Sequence, residues 1–262
     1  MSDEPKLITR REGAVGRVIF SNPARRNAMS LDMWSALPAA VQAMDADPAV
    51  RVVMLEGAGE NFVSGADISQ FESVRLDPVA RQRYDDAVET AYQAPIACRK
   101  PVLAKIRGIC MGGGLGLAAA CDVRICADDA RFRMPAARLG LSYKLEGVRR
   151  FIALIGAQNT LDIFFSARIF GALEALRMGF VTAVVAPDRL EEEAMRWAGL
   201  VAANAPLTLR AAKISVNALL AAPGQQDMPA AEAASEACFL SEDYREGVRA
   251  FLEKRNPDFQ GR

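Results

Sequence analysis

Apolar and polar positions fall into blocks whose period changes along the first half of the chain. Residues 14–20 and 51–55 are short runs rich in β-branched side chains, the pattern of strands. Between them, residues 31–44 carry apolar side chains at helical spacing, with Ser30 placed to cap the first turn. Residues 77–93 predict a second helix and 101–107 a buried strand. A glycine-rich stretch over 108–116 follows, then a short helical segment over 117–120 and a strand over 123–127. From Gly147 onward helical periodicity dominates, most clearly over 191–203, 207–220 and 229–239, punctuated by Pro206 and Pro223-Gly224. The tail carries a charged amphipathic helix over 242–254. Alternating strands and helices followed by helices alone predict an α/β fold: a core over residues 1–200 and a C-terminal helical subdomain over 201–262. There is no internal repeat and no low-complexity linker.

Charge and composition narrow the function classes. Lys and Arg together number 32, as do Asp and Glu. That balance argues against a nucleic-acid binder, whose footprint is usually strongly basic. No apolar run approaches the roughly 20 residues needed to span a bilayer, and residues 1–11 are charged and lack the apolar core of a signal peptide. A cytoplasmic protein with no membrane association is the expectation. The five cysteines, Cys98, Cys110, Cys121, Cys126 and Cys238, are odd in number and lack CxxC spacing, so they are expected to be reduced and mostly buried. The chain has no histidine. Ser-His and Cys-His nucleophiles and His-based metal sites are thereby excluded. Any chemistry falls to carboxylates, Tyr, Lys, Ser or the backbone, and no metal site is expected.

Two segments have the composition of ligand-facing backbone. Residues 59–68 follow a strand and are full of small side chains, which let N–H groups approach a ligand closely. Residues 108–116 join a strand to a helix whose N-terminus offers unpaired N–H groups and partial positive charge, suited to an oxyanion or a phosphate. Glycine there is equally required if the helix simply packs close on a strand. No Gly-Lys-Ser/Thr follows, so this is not a P-loop. Gly114-x-Gly116-x-x-Ala119 matches a dinucleotide fingerprint, with Asp128 after the next strand. The intervening helix looks too short for the usual spacing of about 20 residues to the acid. A nicotinamide-dependent oxidoreductase stays as a rival reading on that motif alone.

Five ordered motifs resemble the enoyl-CoA hydratase/isomerase (crotonase) superfamily. They are Asn22-Pro23 with Arg26-Asn27-Ala28; Phe62-x-Ser64-Gly65-Ala66-Asp67-Ile68; Gly112-Gly113-Gly114 with Ala119-x-Cys121-Asp122; Phe132-x-x-Pro135 with Leu139-Gly140; and the tail from Ser241 through Arg255. The resemblance covers nearly the whole chain. It implies a spiral of ββα units with a C-terminal helical part, assembled as a homo-oligomer, a trimer or hexamer. It also implies an acyl-CoA substrate and no separate cofactor, coenzyme A being part of the substrate. By position, the amides of Ala66 and Gly113 would hold the thioester oxygen. Ser64, Gly65, Asp67, Ile68, Gly112, Met134, Ala136 and Leu139 would bound the substrate. Arg26 would contact a CoA phosphate, and Phe251 and Lys254 resemble tail positions that touch CoA, sometimes from a neighbouring subunit.

The chain departs from the hydratase pattern at two positions. The family's hydratases carry glutamates where Gly116 and Ala136 stand here. Hydration needs one group to activate water and another to deliver a proton, and neither Gly nor Ala does either. Another acid site of some members falls at Lys144. The segment Leu139-Gly140-x-x-Tyr143-x-Leu145-x-Gly147 is instead similar to the methylmalonyl-CoA decarboxylase-like members, although those carry His where Ala66 stands and Thr where Met134 stands. Tyr143 and Glu146 are the side chains expected to share catalysis. A decarboxylase or other enolate-forming lyase is the leading expectation, with a non-standard hydratase or isomerase and a weakly catalytic acyl-CoA-binding paralogue as alternatives.

Overall fold

The structure is a computed structural model that describes residues 5–67 and 77–262. Its six-stranded sheet is built from β1 (Lys6–Glu12), β2 (Val15–Ser21), β3 (Val52–Gly57), β4 (Val102–Ile106), β6 (Val123–Ala127) and β9 (Ala183–Val185), in that spatial order. Only β1 runs antiparallel to its neighbour; the rest of the sheet is parallel. A three-stranded sheet places β7 (Arg131–Arg133) between β5 (Ile109–Met111) and β8 (Ile169–Gly171). The chain passes from one sheet to the other at β4 to β5 and again at β6 to β7. These are the ββα units of the expected spiral, closed by α3 (Gly113–Ala120) and by α4 (Leu145–Ser166).

Burial on both faces explains the strand sequences. In β3, Val53 and Leu55 join the core under the helices, whereas Val52 and Met54 join a second core on the opposite face. A strand whose successive side chains all find apolar partners needs no polar alternation. The first core is completed by α1 (Leu31–Ala46), which buries Met33, Trp34, Leu37 and Val41, and by α2 (Pro78–Ala97). Ser30 caps α1 as expected, accepting a hydrogen bond from the Met33 amide at 3.2 Å, a contact worth about 1 kcal/mol. Asp77 caps α2 in the same way. The second core lies beneath α6 (Leu190–Ala202).

α5 (Ala172–Met178) precedes β9, and α7 (Pro206–Leu220), α8 (Met228–Leu240) and α9 (Glu242–Glu253) form the all-helical end of the chain. Lys213 of α7 ties this part to the core through the Pro95 and Lys100 carbonyls and the Asp122 carboxylate. The structure adds elements to those expected. β1 is a charged edge strand paired in register with β2. β5, β7, β8 and β9 have three residues each, too few to show a period. α4 starts at Leu145 and is broken at Gly156, whose φ of 74° and ψ of 164° are non-helical. All five cysteines are free thiols and all but Cys238 are buried.

Candidate active site

The site begins with a loop that has to be held in an unusual shape. Arg26 and Asn27 both adopt left-handed backbone, at φ of 51° and 58°. The Asn27 side chain compensates: its carboxamide donates to the Ala58 and Asn61 carbonyls and accepts from the Asn22 amide. The loop so fixed holds the next segment. The Ser64 amide donates to the Arg26 carbonyl and the Ser64 hydroxyl to the Arg25 carbonyl, while Met29 forms a parallel bridge with Ala66. In that bridge the Met29 amide donates to Gly65 and the Asp67 amide to Met29. The amide of Ala66 is thereby directed away from the bridge.

The glycine stretch comes against this loop from the other side. Val63 bridges Cys110 of β5, and a Cβ on Gly114 would lie 2.2 Å from the Val63 carbonyl oxygen. Gly114 is therefore required for close packing of α3 on the loop. Gly112 turns the chain at φ of 51° into the first residue of that helix. Gly65, at φ of 118°, brings the two segments together: a Cβ there would be 3.9 Å from the Gly113 nitrogen. Among the described residues neither the Ala66 nor the Gly113 amide has a hydrogen-bond acceptor. Ala66 and Gly113 both line one opening.

That opening belongs to a cavity of about 760 Å³, within the usual range for a small-molecule site. Ser64, Gly65, Ala66, Gly112, Gly113, Ala136, Leu139, Tyr143 and Glu146 line it. Arg26 is exposed outside it, Met134 is fully buried and does not line it, and Asp67 is buried and holds the Arg25 guanidinium at 2.6 Å. Phe251 lies exposed on α9 and Lys254 at that helix's C-terminus; neither lines the cavity within one chain. Ile68 lies outside the described residues.

No carboxylate occupies positions 116 or 136. Gly116 lies on α3 facing Tyr92 of α2, and a Cβ there would sit 2.7 Å from the Tyr92 hydroxyl oxygen. Tyr92 donates to the Gly113 carbonyl at 3.2 Å and packs edge-on against Trp34. Burial pushes the Tyr92 phenol well above its ordinary pKa, with Tyr143 and Tyr84 adding to the effect, so it stays neutral. Trp34 in turn donates to the Tyr84 hydroxyl at 3.0 Å. The Tyr143 ring packs edge-on against Phe164. The carboxylates that line the cavity are Asp85, Glu89 and Glu146, and the last two are paired. Glu89 meets Lys144, and Glu146, in the first turn of α4 and half-exposed, meets Arg149 at 3.0 Å. The sequence reading passed over Tyr84 and Tyr92. Tyr84, Val88, Tyr92 and Ile96 recur every four residues along α2 and all reach the cavity. That stripe is visible in the sequence, but its spacing marks an inward face without distinguishing core from cavity.

Comparison with known proteins decides the family. A model of the enoyl-CoA hydratase/isomerase family matches residues 10–262. The chain belongs to that family. A crotonyl-CoA hydratase of Syntrophomonas wolfei is 31% identical over 254 residues, covering 97% of each chain. A peroxisomal Δ3,5-Δ2,4-dienoyl-CoA isomerase of Arabidopsis thaliana is 29% identical, covering 95% of this chain and 93% of its own. Among solved structures, an enoyl-CoA hydratase/isomerase family protein from Hyphomonas neptunium superimposes with a TM-score of 0.92 at 34% identity over 98% of both chains. These relatives are named for hydratase or isomerase chemistry, so the family is established and the decarboxylase-like branch is not. The dinucleotide rival loses its footing: Gly114 and Gly116 are taken up by contact with Val63 and Tyr92. Among the described residues no helix is long and apolar enough to cross a membrane, and no cluster of His, Cys, Asp or Glu could hold a metal ion.

Proposed function

We propose that this family member holds the carbonyl of an acyl-CoA thioester between the Ala66 and Gly113 amides and forms a thioester enolate there, with decarboxylation of a malonyl-type acyl-CoA as the leading reaction. The observation that carries this reading is the pair of positions 116 and 136. The first is a glycine pressed on a phenol and the second a buried alanine, so the two-glutamate route to hydration has neither its base nor its acid. Decarboxylation needs neither to make the enolate. The bond between the α-carbon and the carboxylate breaks, carbon dioxide leaves, and the electron pair delocalises onto the thioester oxygen. A proton from water then restores the α-carbon. Two preorganised amides supply the stabilisation, each worth about 3–4 kcal/mol in comparable sites. Tyr143 lines the cavity and orients the leaving carboxylate through its hydroxyl.

A hydratase or isomerase using non-standard groups is the second reading. The names of the relatives favour it, and Glu146 at the cavity margin is the carboxylate it would use. A weakly catalytic acyl-CoA-binding protein is the third. Incubation with a mixture of crotonyl-, methylmalonyl- and malonyl-CoA, followed by mass spectrometry, separates them. Loss of carbon dioxide supports the lyase and addition of water the hydratase; binding without turnover supports the third. A bound thioester analogue whose carbonyl oxygen lies beyond about 3.5 Å from both amides would remove the common basis of all three. We also propose a homo-oligomer, a trimer or hexamer. Phe239, Leu240, Phe251 and Leu252 are 62%, 70%, 83% and 75% exposed on α8 and α9, and assembly would cover them. Light scattering that shows only monomer at micromolar concentration would refute this.

A further inference from the structure

Tyr92 forms the cavity wall at the place where a side chain on residue 116 would project. Its hydroxyl oxygen and Cζ would lie 2.7 and 2.8 Å from a Cβ on Gly116, and its hydroxyl oxygen 3.5 Å from one on Gly113. The phenol therefore fills the room that glycine leaves, immediately beside one of the two amides. The ring is fixed on one side by the edge-on contact with Trp34, whose own nitrogen is held by Tyr84. The hydroxyl is held by the Gly113 carbonyl. Tyr92 is enclosed by protein on most sides yet keeps part of its surface on the cavity. A hydroxyl offers one donor and two acceptor directions. The Tyr92 proton is given to the Gly113 carbonyl, so Tyr92 donates to a substrate acceptor by rotating its hydroxyl off that carbonyl.

We propose that Tyr92 is a further substrate-contacting residue of this site, which with Tyr143 forms a neutral pair of phenols that holds the polar end of the acyl group. This rests on the reading of the cavity as an acyl-CoA site. The substrate class that follows is an acyl thioester bearing a hydrogen-bonding group, such as a carboxylate, within reach of the α-carbon. A plain hydrocarbon chain would leave the two hydroxyls without a new partner. The pair replaces a carboxylate with groups that donate and accept but do not ionise, so it orients without acting as a base.

The test uses the whole protein labelled with [13Cζ]tyrosine, with the Tyr92 and Tyr143 resonances assigned from Tyr92→Phe and Tyr143→Phe. It is titrated with a non-reactive thioether analogue of malonyl-CoA, with the thioether analogue of butyryl-CoA, and with CoA alone, while calorimetry records binding. The expected result is a shift of the Tyr92 resonance with the malonyl analogue, persisting in the Tyr143→Phe background, and little shift with the butyryl analogue or CoA. Turnover of whichever acyl-CoA is consumed should fall about 10-fold in Tyr92→Phe, the size of one hydrogen bond, with KM changed less than about 3-fold. If the malonyl analogue binds and Tyr92 does not shift, or shifts only while Tyr143 keeps its hydroxyl, the inference is wrong and the acyl-CoA reading stands. Equal shifts with both analogues would overturn the substrate class. If none of the analogues binds, the acyl-CoA reading itself fails and the inference falls with it.

Discussion

Two walls of this molecule handle charge in opposite ways. On the face of the main sheet beneath α6, Arg17 is almost fully buried, 2.9 Å from both Glu12 and Glu56 and in contact with Glu191, while Lys105 meets Glu56 and Glu191. On the other side, the cavity wall at positions 116 and 136 carries no charge and is lined instead by the hydroxyls of Tyr92 and Tyr143. The fold can therefore bury carboxylates where it also provides cations to pair them. The cations that line the cavity are Arg81, Lys144, Arg149 and Arg150, and Lys144 and Arg149 meet Glu89 and Glu146. A carboxylate buried at position 116 or 136 would take up a proton unless one of these cations reached it. Phenols avoid that cost because they are neutral at working pH. On the proposed reading the charged wall serves stability and the neutral wall the chemistry, and mutations should separate the two.

The largest effect expected is on the charged wall. Arg17→Ala leaves Glu56, also buried, with Lys105 as its remaining cation, and breaking such a buried group typically costs about 3–5 kcal/mol. Urea unfolding should show it as a markedly lower midpoint with residual activity retained by the folded fraction. A loss under about 1 kcal/mol would mean that the cluster behaves like an exposed one.

On the neutral wall the effect should fall on rate. Tyr143→Phe keeps the ring and its contact with Phe164 and removes one hydroxyl. Turnover on the native acyl-CoA should fall by roughly 10²-fold, with the urea midpoint nearly unchanged. Unchanged turnover would assign Tyr143 to packing. Crotonyl-CoA hydration by the unaltered protein should stay well below the ordinary enzyme rate of about 10 per second; a typical rate would show that Glu146 or another group has taken over proton transfer.

A glycine comparison sharpens the geometry. Gly116→Ala should gain helix propensity of up to about 1 kcal/mol but lose more by pushing the enclosed Tyr92 ring, for a net loss of about 1–2 kcal/mol. Gly199, in α6 with open space around it, should give the propensity gain alone. Equal effects at both positions would show that Tyr92 yields freely. The double substitution that restores carboxylates, Gly116→Glu with Ala136→Glu, meets the same obstruction and should hydrate crotonyl-CoA only once Tyr92 has moved aside.

How much of this was legible in the sequence follows from what each feature depends on. The helices of α1, α2 and α7 and the strands β2, β3 and β4 were readable because burial imposes a period on runs of five residues or more. The three-residue strands were not, since they are created by pairing, β5, β7 and β8 in the small sheet and β9 at the edge of the large one, rather than by their own pattern. β1 was hidden by its charges, which suit an edge strand. At the site, the glycines and the absent glutamates were plain, because backbone demands and missing atoms show in residue identity. Tyr92 was not: its importance lies in meeting Gly116, which is 24 positions further along the chain by subtraction of the two residue numbers. The Arg17 cluster joins β2, β3, β4 and α6, and no local pattern announces it.

The smallest effect expected is the acid response of the charged wall. Burial would push the Glu191 carboxyl up, but hydrogen bonds from Arg17 and Lys105 outweigh it and hold the pKa at about 2, against an ordinary value of 4.5. A folded-state pKa below the unfolded one means that the unfolded chain binds the proton first as pH falls. The contribution of Glu191 to stability is therefore fully present above pH 4.5 and declines as pH drops towards 2. Its side chain is 51% exposed, so solvent screening should keep the contribution under about 1 kcal/mol. Unfolding free energies measured across this window should decline more steeply for the unaltered protein than for Glu191→Gln, which has no carboxyl to titrate there. Parallel curves would show that Arg17 and Lys105 are satisfied by Glu56 and Glu12 alone. Tyr143→Phe serves as the control from the opposite wall: its stability curve should run parallel to that of the unaltered protein throughout, because a neutral phenol has no proton to exchange in this range.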